Sequence, residues 1–174
     1  MMGKFLAVLI LTAALIGGGA MYYLQVYGYY DDILATGPDD VQAVTVAAQS
    51  EPLPHSDFRA IDSDSSPIRY RACFTTPLSP QDARDRYMPY PRAVPLLAPG
   101  WFDCFDARAI GAALEDGTAQ AIIGTENIRY GIDRVIAILP DGQGVVWHQI
   151  NRCGAVVFDG QPAPNDCPPP PEGN

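Results

Sequence analysis

The chain has 174 residues and a formal charge of −9, enough for one membrane segment and one domain of ordinary size. The charge is unevenly divided. Lys4 is the one ionised side chain before Asp31, while residues 31–174 set 20 acids against ten arginines, a formal −10. Such a domain repels nucleic acid, which excludes that class of partner, and 17 prolines with 16 glycines exclude a long helical bundle.

Phe5 to Leu24 contains no charged side chain. Twenty helical residues rise about 30 Å, the thickness of a hydrocarbon core. The expected anchor is residues 1–30. Tyrosines cluster at its end, and Tyr22, Tyr23, Tyr27 and Tyr30 are expected at the headgroup level, where a ring is buried and its hydroxyl stays wet. Tyr23, Tyr27 and Tyr30 also share one helical face, so the helix is expected to run past the bilayer. Lys4 before the apolar run and Asp31, Asp32, Asp39 and Asp40 after it set the N-terminus in the cytoplasm. The rival reading is a cleaved signal peptide, since Gly18-Gly19-Ala20 offers small residues at a cleavage site. Both readings export the domain. Gly17-Gly18-Gly19, one turn after Ala13 and Ala14, would also let another helix approach closely.

Residues 31–66 are acidic and carry Pro38, Pro52 and Pro54, which predicts a linker; within it Val41 to Ala48 has weak strand character. The exported domain is expected over 67–160. Ile68 to Phe74 alternates, with Ile68, Tyr70, Ala72 and Phe74 on an apolar face and Arg69, Arg71 and Cys73 on an open one. Ser79-Pro80-Gln81-Asp82 starts a short helix by a capping-box pattern, and Pro89 and Pro91 end it near Tyr87. Asp106 caps a second helix that Gly117 stops. Thr118 to Gly124 is expected as a strand. Ile132 to Leu139 and Val145 to Ile150 form a hairpin around Pro140-Asp141-Gly142, and Ala155 to Phe158 adds an edge strand. The tail, 161–174, is proline-rich and extended. The fold class is α+β: an N-terminal transmembrane helix, then a small disulfide-stapled domain with an antiparallel sheet and two short helices.

Cys73, Cys104, Cys153 and Cys167 all lie beyond the anchor, and an even count in an exported chain predicts two disulfides. Three pairings are open, the simplest being Cys73–Cys104 with Cys153–Cys167. The second of these would pin the NDCPPPP segment to the domain. No C-x-x-C spacing or histidine ligand pattern supports a metal, and no cofactor is expected.

No nucleophile elbow, phosphate loop, HExxH or dinucleotide fingerprint occurs. His148 could act as a base only beside a free cysteine or an acid partner. The densest aromatic region is Trp101-Phe102-Asp103-Cys104-Phe105, and with Trp147 and His148 it makes a candidate recognition patch: Trp101, Phe102, Phe105, Trp147 and His148. The preferred account is that a disulfide lies buried under Trp101 and Phe105, and the exposed patch is the alternative.

The runs APGWFDCFDA, ENIRYGIDRV and PDGQGVVWHQINRCG, with MYYLQVYGYY at the anchor's end, resemble an uncharacterised family of small alphaproteobacterial membrane-anchored proteins with a domain of unknown function. The likeness spans nearly the whole chain except the linker and tail. Some relatives carry the label histidine kinase. This sequence has neither a dimerisation helix with a phospho-accepting histidine nor ATP-binding glycine boxes, so the resemblance implies no catalytic residue.

The expectation is a non-enzymatic accessory protein of the bacterial cytoplasmic (inner) membrane. Its domain would lie in the periplasm and dock on a larger integral-membrane or periplasmic assembly, such as a respiratory or envelope complex. The alternative is an exported ligand- or peptide-binding module, and after it a thiol–histidine enzyme.

Overall fold

The computed structural model describes residues 2–171. Helix α1 runs over Met2–Tyr23 and passes into a single π-helical turn at Leu24–Gly28. The span Met2–Gly28 is long and apolar enough to cross a membrane, and none of it is buried in the protein. An antiparallel, disulfide-bonded α+β domain follows.

Its centre is a six-stranded sheet in the order β1-β4-β5-β8-β7-β6, every pair antiparallel. The strands are β1 (Asp31–Ile33), β4 (Ser56–Asp62), β5 (Arg71–Thr75), β6 (Gln120–Arg129), β7 (Ile132–Ile138) and β8 (Gln143–Ile150). A two-stranded sheet, β2 (Gln42–Val44) with β3 (Ser50–Pro52), lies over one face together with α2 (Pro80–Arg86). Helix α3 (Ala107–Glu115) lies over the other, and α4 (Arg152–Phe158) closes the chain's last turn.

Both faces of the sheet are therefore covered, and the middles of β7 (Val135 to Ile138) and β8 (Val145 to Trp147) are unbroken apolar runs for that reason. Successive side chains alternate between two cores. Ala60, Ala72, Phe74, Ile122, Ile136, Ile138 and Val146 meet Val41, Ala43, Leu53, Ala83 and Tyr87 on the first face. Ile61, Cys73, Val135, Ala137, Val145 and Trp147 meet Phe102, Phe105 and Ile110 on the second. Each fully buried Leu, Ile or Val in these clusters contributes roughly 1.5–3 kcal/mol relative to exposure.

Residues 31–66 are not a linker. They supply β1 and β4 to the central sheet and the whole of the small one, and Val41, Ala43, Leu53, Ala60 and Ile61 are buried. Most of their acids face solvent, with Asp40, Glu51 and Asp62 half-buried, while isolated apolar residues between them enter the core, so composition concealed the strands. The prolines fall where a ladder can spare an amide: Pro38 opens a 3-10 turn, and Pro52 ends β3. The domain accordingly begins near Asp31, not Pro67.

Ala155 to Phe158 belongs to α4, not to an edge strand. Asn151 caps that helix by accepting from the Gly154 amide, and Gly154 rests against the β6–β7 turn. A Cβ on Gly131 would fall 2.4 Å from the Gly154 Cα, and one on Gly154 would fall 2.2 Å from the Gly131 oxygen. Only two glycines let the backbones meet there. Helix α2 carries the capping box expected at Ser79 and Asp82; α3 is capped by Asp106 and is followed by Gly117 in a left-handed conformation (φ 77°). The β7–β8 hairpin turns at Asp141-Gly142. The tail beyond Gln161 has no helix or strand among its described residues but is not extended throughout, since a turn at Asn165 to Cys167 closes with Cys167 N donating to Pro164 O at 2.9 Å; its last three residues lie outside the described ones.

Candidate functional site: the junction of anchor and domain

Two disulfides form, Cys73–Cys104 and Cys153–Cys167, and no cysteine is free. The first joins β5 to the loop before α3; this is the loop that holds the aromatic residues. Pro99 O accepts from the Phe102 amide at 2.9 Å, and the Gln143 side chain donates to Cys104 O at 3.0 Å. The bridge and these bonds fix a turn with Phe102 and Phe105 pointing inward and Trp101 at the rim.

Trp101 meets the end of the anchor. Its indole Nε1 donates to Val26 O at 2.6 Å. The Tyr27 ring stacks on it with centroids 6.1 Å apart, and Tyr30 meets it edge-on at 5.9 Å. The Arg69 guanidinium lies 5.4 Å over Tyr30. A helix end leaves its last carbonyls without intrahelical partners, and the indole satisfies one of them. The arrangement couples α1 to the domain through several contacts at once, so the connection is a joint and not a tether.

Of the residues expected at the membrane interface, Tyr22 and Tyr23 are exposed, whereas Tyr27 and Tyr30 are engaged by Trp101. The recognition patch does not exist as a surface. Phe102, Phe105, Trp147 and His148 are all buried, Trp147 completely. Trp147 and His148 also face opposite sides of the sheet, as neighbours in a strand must. Of these, Trp101 remains partly exposed, and the end of the chain's own N-terminal helix packs on it.

Arg71 does not stand on an open face either. It is 4% exposed, under Phe105, with its charge held by backbone oxygens alone: Nε on Leu96 O, Nη2 on Leu97 O, and Nη1 on Ile68 O and Tyr70 O, at 2.7–2.9 Å. Burial pulls its pKa down to about 10, and it is still a cation at neutral pH. The guanidinium thereby pins the 93–98 segment, which has no regular structure of its own. Val94 N adds a bond to the Gln149 side chain at 2.8 Å.

His148 is spent on structure. Its Nδ1 meets Pro67 O at 2.8 Å, its Nε2 accepts from Arg134 Nε at 3.1 Å, and its ring stacks on Tyr70 at 4.7 Å. Arg134 also covers Tyr70, at 4.3 Å. Burial, reinforced by the positive Arg134, Arg71 and Arg129, drives the imidazole pKa down to about 4. A neutral ring with Nδ1–H donating and Nε2 accepting has no lone pair left for a substrate. With every cysteine bridged, the thiol–histidine pairing is not assembled.

One polar cluster escaped the sequence reading. Asp133, 7% exposed, accepts from the Asn127 amide and the Asn151 side chain through Oδ1, and from the Tyr90 hydroxyl through Oδ2. Burial, with the Asp133 charge second, raises the Tyr90 pKa. The cluster lines a cleft of about 740 Å³ that also includes Arg92, Gln149 and Arg152. An aspartate inside the apolar run of β7 was its one sequence signal. No group of three or more metal-ligating side chains occurs among the described residues.

Neither the curated proteins nor the solved structures contain a match to the chain. The comparison with known families matches residues 41–168 to a family of unknown function, DUF6446. That match begins at Val41, the buried residue just before β2, and so takes in much of the segment whose acidity suggested a linker. Covering well over half of the sequence, it shows that the chain belongs to the family of unknown function DUF6446.

Proposed function

We propose that the protein is a non-enzymatic accessory subunit, anchored in a bacterial inner membrane with its N-terminus in the cytoplasm and its domain in the periplasm. Its helix docks on a larger integral-membrane assembly. One observation carries this reading: the Gly17-Gly18-Gly19 run serves nothing inside the chain. A Cβ at any of the three would meet no atom within 4 Å, and none has a positive φ. Glycine in mid-helix costs about 0.5–1 kcal/mol relative to alanine, so three in succession weaken the helix with no return in its own fold. A close-approaching helix of another protein supplies the return. The disulfides fit an oxidising compartment, and Lys4 fits a cytoplasmic N-terminus. The joint at Trp101 would transmit a docked helix's position to the domain.

The test is a mild-detergent purification of the C-terminally tagged protein at native level, followed by mass spectrometry, beside Gly18→Leu. A stoichiometric membrane complex that Gly18→Leu dissolves, with the variant still membrane-integral, supports the reading. A solitary protein in both samples removes it. Weight then passes to an exported ligand- or peptide-binding module, for which the cleft beside Asp133 offers a concave site with a buried charge.

A further inference from the structure

Around the buried Arg71 the chain displays apolar side chains where a water-facing domain has no use for them. Leu97 is 82% exposed and Val94 58%. They do not sit on a slack loop. Arg71 holds the carbonyls of Leu96 and Leu97, and Gln149 holds the amide of Val94. Pro95 and Pro99 stiffen the backbone further. A buried cation thus fixes a leucine out in solvent.

The location of this loop is set by the joint. Ala98 and Trp101, just beyond Leu97, pack in one cluster with Tyr30, the residue at which the anchor segment ends. Trp101 itself is bonded to Val26 O. The loop therefore stands beside the point where the chain leaves α1.

Charge marks the same stretch. From Tyr87 to Phe102 there is no acidic residue and one arginine, Arg92, in a domain whose formal charge is −10. Anionic headgroups repel the domain as a whole but not this stretch.

We propose that the 94–101 loop is a second membrane contact. Leu97 and Val94 enter the interfacial region of the bilayer beside α1, and the domain rests on the lipid surface through this edge. Trp101 would then lie at the headgroup level, a ring half covered by protein and half by lipid. Leu97 and Val94 gain apolar burial, and Arg71 holds the loop in shape before it meets the membrane. The proposal rests on α1 spanning the bilayer, and on no protein partner.

The experiment places a tryptophan at the loop in the full chain, reconstituted in vesicles of phosphatidylethanolamine and phosphatidylglycerol with or without bromine on their acyl chains. Leu97→Trp is compared with the parent and with Gln81→Trp. Gln81 is an exposed position on α2, beyond the Thr75 end of β5 and so at the opposite end of the sheet from Arg71. The emission added by Leu97→Trp should fall about twofold in brominated vesicles, as for a ring at the interface, while that of Gln81→Trp stays unchanged. Equal emission from Leu97→Trp in both vesicle types, with the chain still resisting carbonate extraction, overturns the loop contact and leaves the anchor standing. Extraction of the parent by carbonate overturns both.

Discussion

One face of the six-stranded sheet is roofed by the β2–β3 sheet and α2; the other lies under a loop, residues 93–106, and α3. The first roof is ordinary packing, in which Leu53, Val41 and Tyr87 close over Ala72, Phe74 and Ile136. The second is largely loop, whose backbone makes few bonds of its own, Phe102 N to Pro99 O and Phe105 N to Phe102 O among them. There the chain uses a disulfide to Cys73 and a buried guanidinium that answers the carbonyls of Leu96 and Leu97. A surface that must carry a shaped loop is thus held by point attachments, and the N-terminal helix α1 joins the domain on that same side.

Paired substitutions break this comparison most sharply. Arg71→Ala removes the partner of four carbonyls, and Leu53→Ala opens a cavity under the other roof; each should lower stability by about 3 kcal/mol in urea unfolding. Their local signatures should differ. Hydrogen exchange at Val94, whose amide is bonded to the Gln149 side chain, should rise in Arg71→Ala well before global unfolding, and should stay at its parent level in Leu53→Ala. Equal exchange in the two variants would mean that the loop is held by packing alone.

Next in size is the pH response of His148, which lies on the first face against Tyr70. Its folded pKa of about 4 lies below the ordinary 6.5, so as pH falls the unfolded chain binds the proton first. The stability that comes from keeping the ring neutral is complete above pH 6.5 and is lost as pH falls towards 4. The full shift is worth up to about 3 kcal/mol. His148→Gln, with a neutral donor and acceptor, should flatten the stability profile across that window. A slope identical to the parent's would assign the acid sensitivity to other groups.

The smallest effect belongs to the joint. Trp101→Phe keeps a ring for Tyr27 and Tyr30 and deletes the N–H that reaches Val26 O. The lost bond is worth about 1 kcal/mol, or about fivefold faster amide exchange around Tyr29 and Tyr30. Global unfolding should hardly move. Unchanged exchange would show that stacking alone seats the helix.

What the sequence made legible was local. The capping box at Ser79, the cap at Asp106, the Asp141-Gly142 hairpin and the apolar span of α1 each depend on residues within a few positions of one another. What stayed hidden was decided at a distance. The acids of 31–66 spoke for solvent, and only a partner strand, β5, reveals β4 as part of the sheet. Arg71 alternated as though it faced water, because nothing local tells a strand covered on both sides from one covered on a single side. The aromatic run at 101–105 favoured rings over a buried disulfide, with a surface patch as the alternative, and the Cys73–Cys104 bridge does lie there with Phe102 and Phe105 turned inward. Asp133, with Arg134 beside it, interrupted the apolar run of β7, and its partners Tyr90, Asn127 and Asn151 come from three separate segments.

The meeting of Gly131 with Gly154 bears on how relatives of this protein are recognised. Any side chain at either position strikes the other's backbone, so neither substitution is repaired by a change in its partner. A distant sequence that keeps α4 against the β6–β7 turn must therefore spell glycine twice, however far the rest has drifted, and losing either letter signals a different C-terminal end.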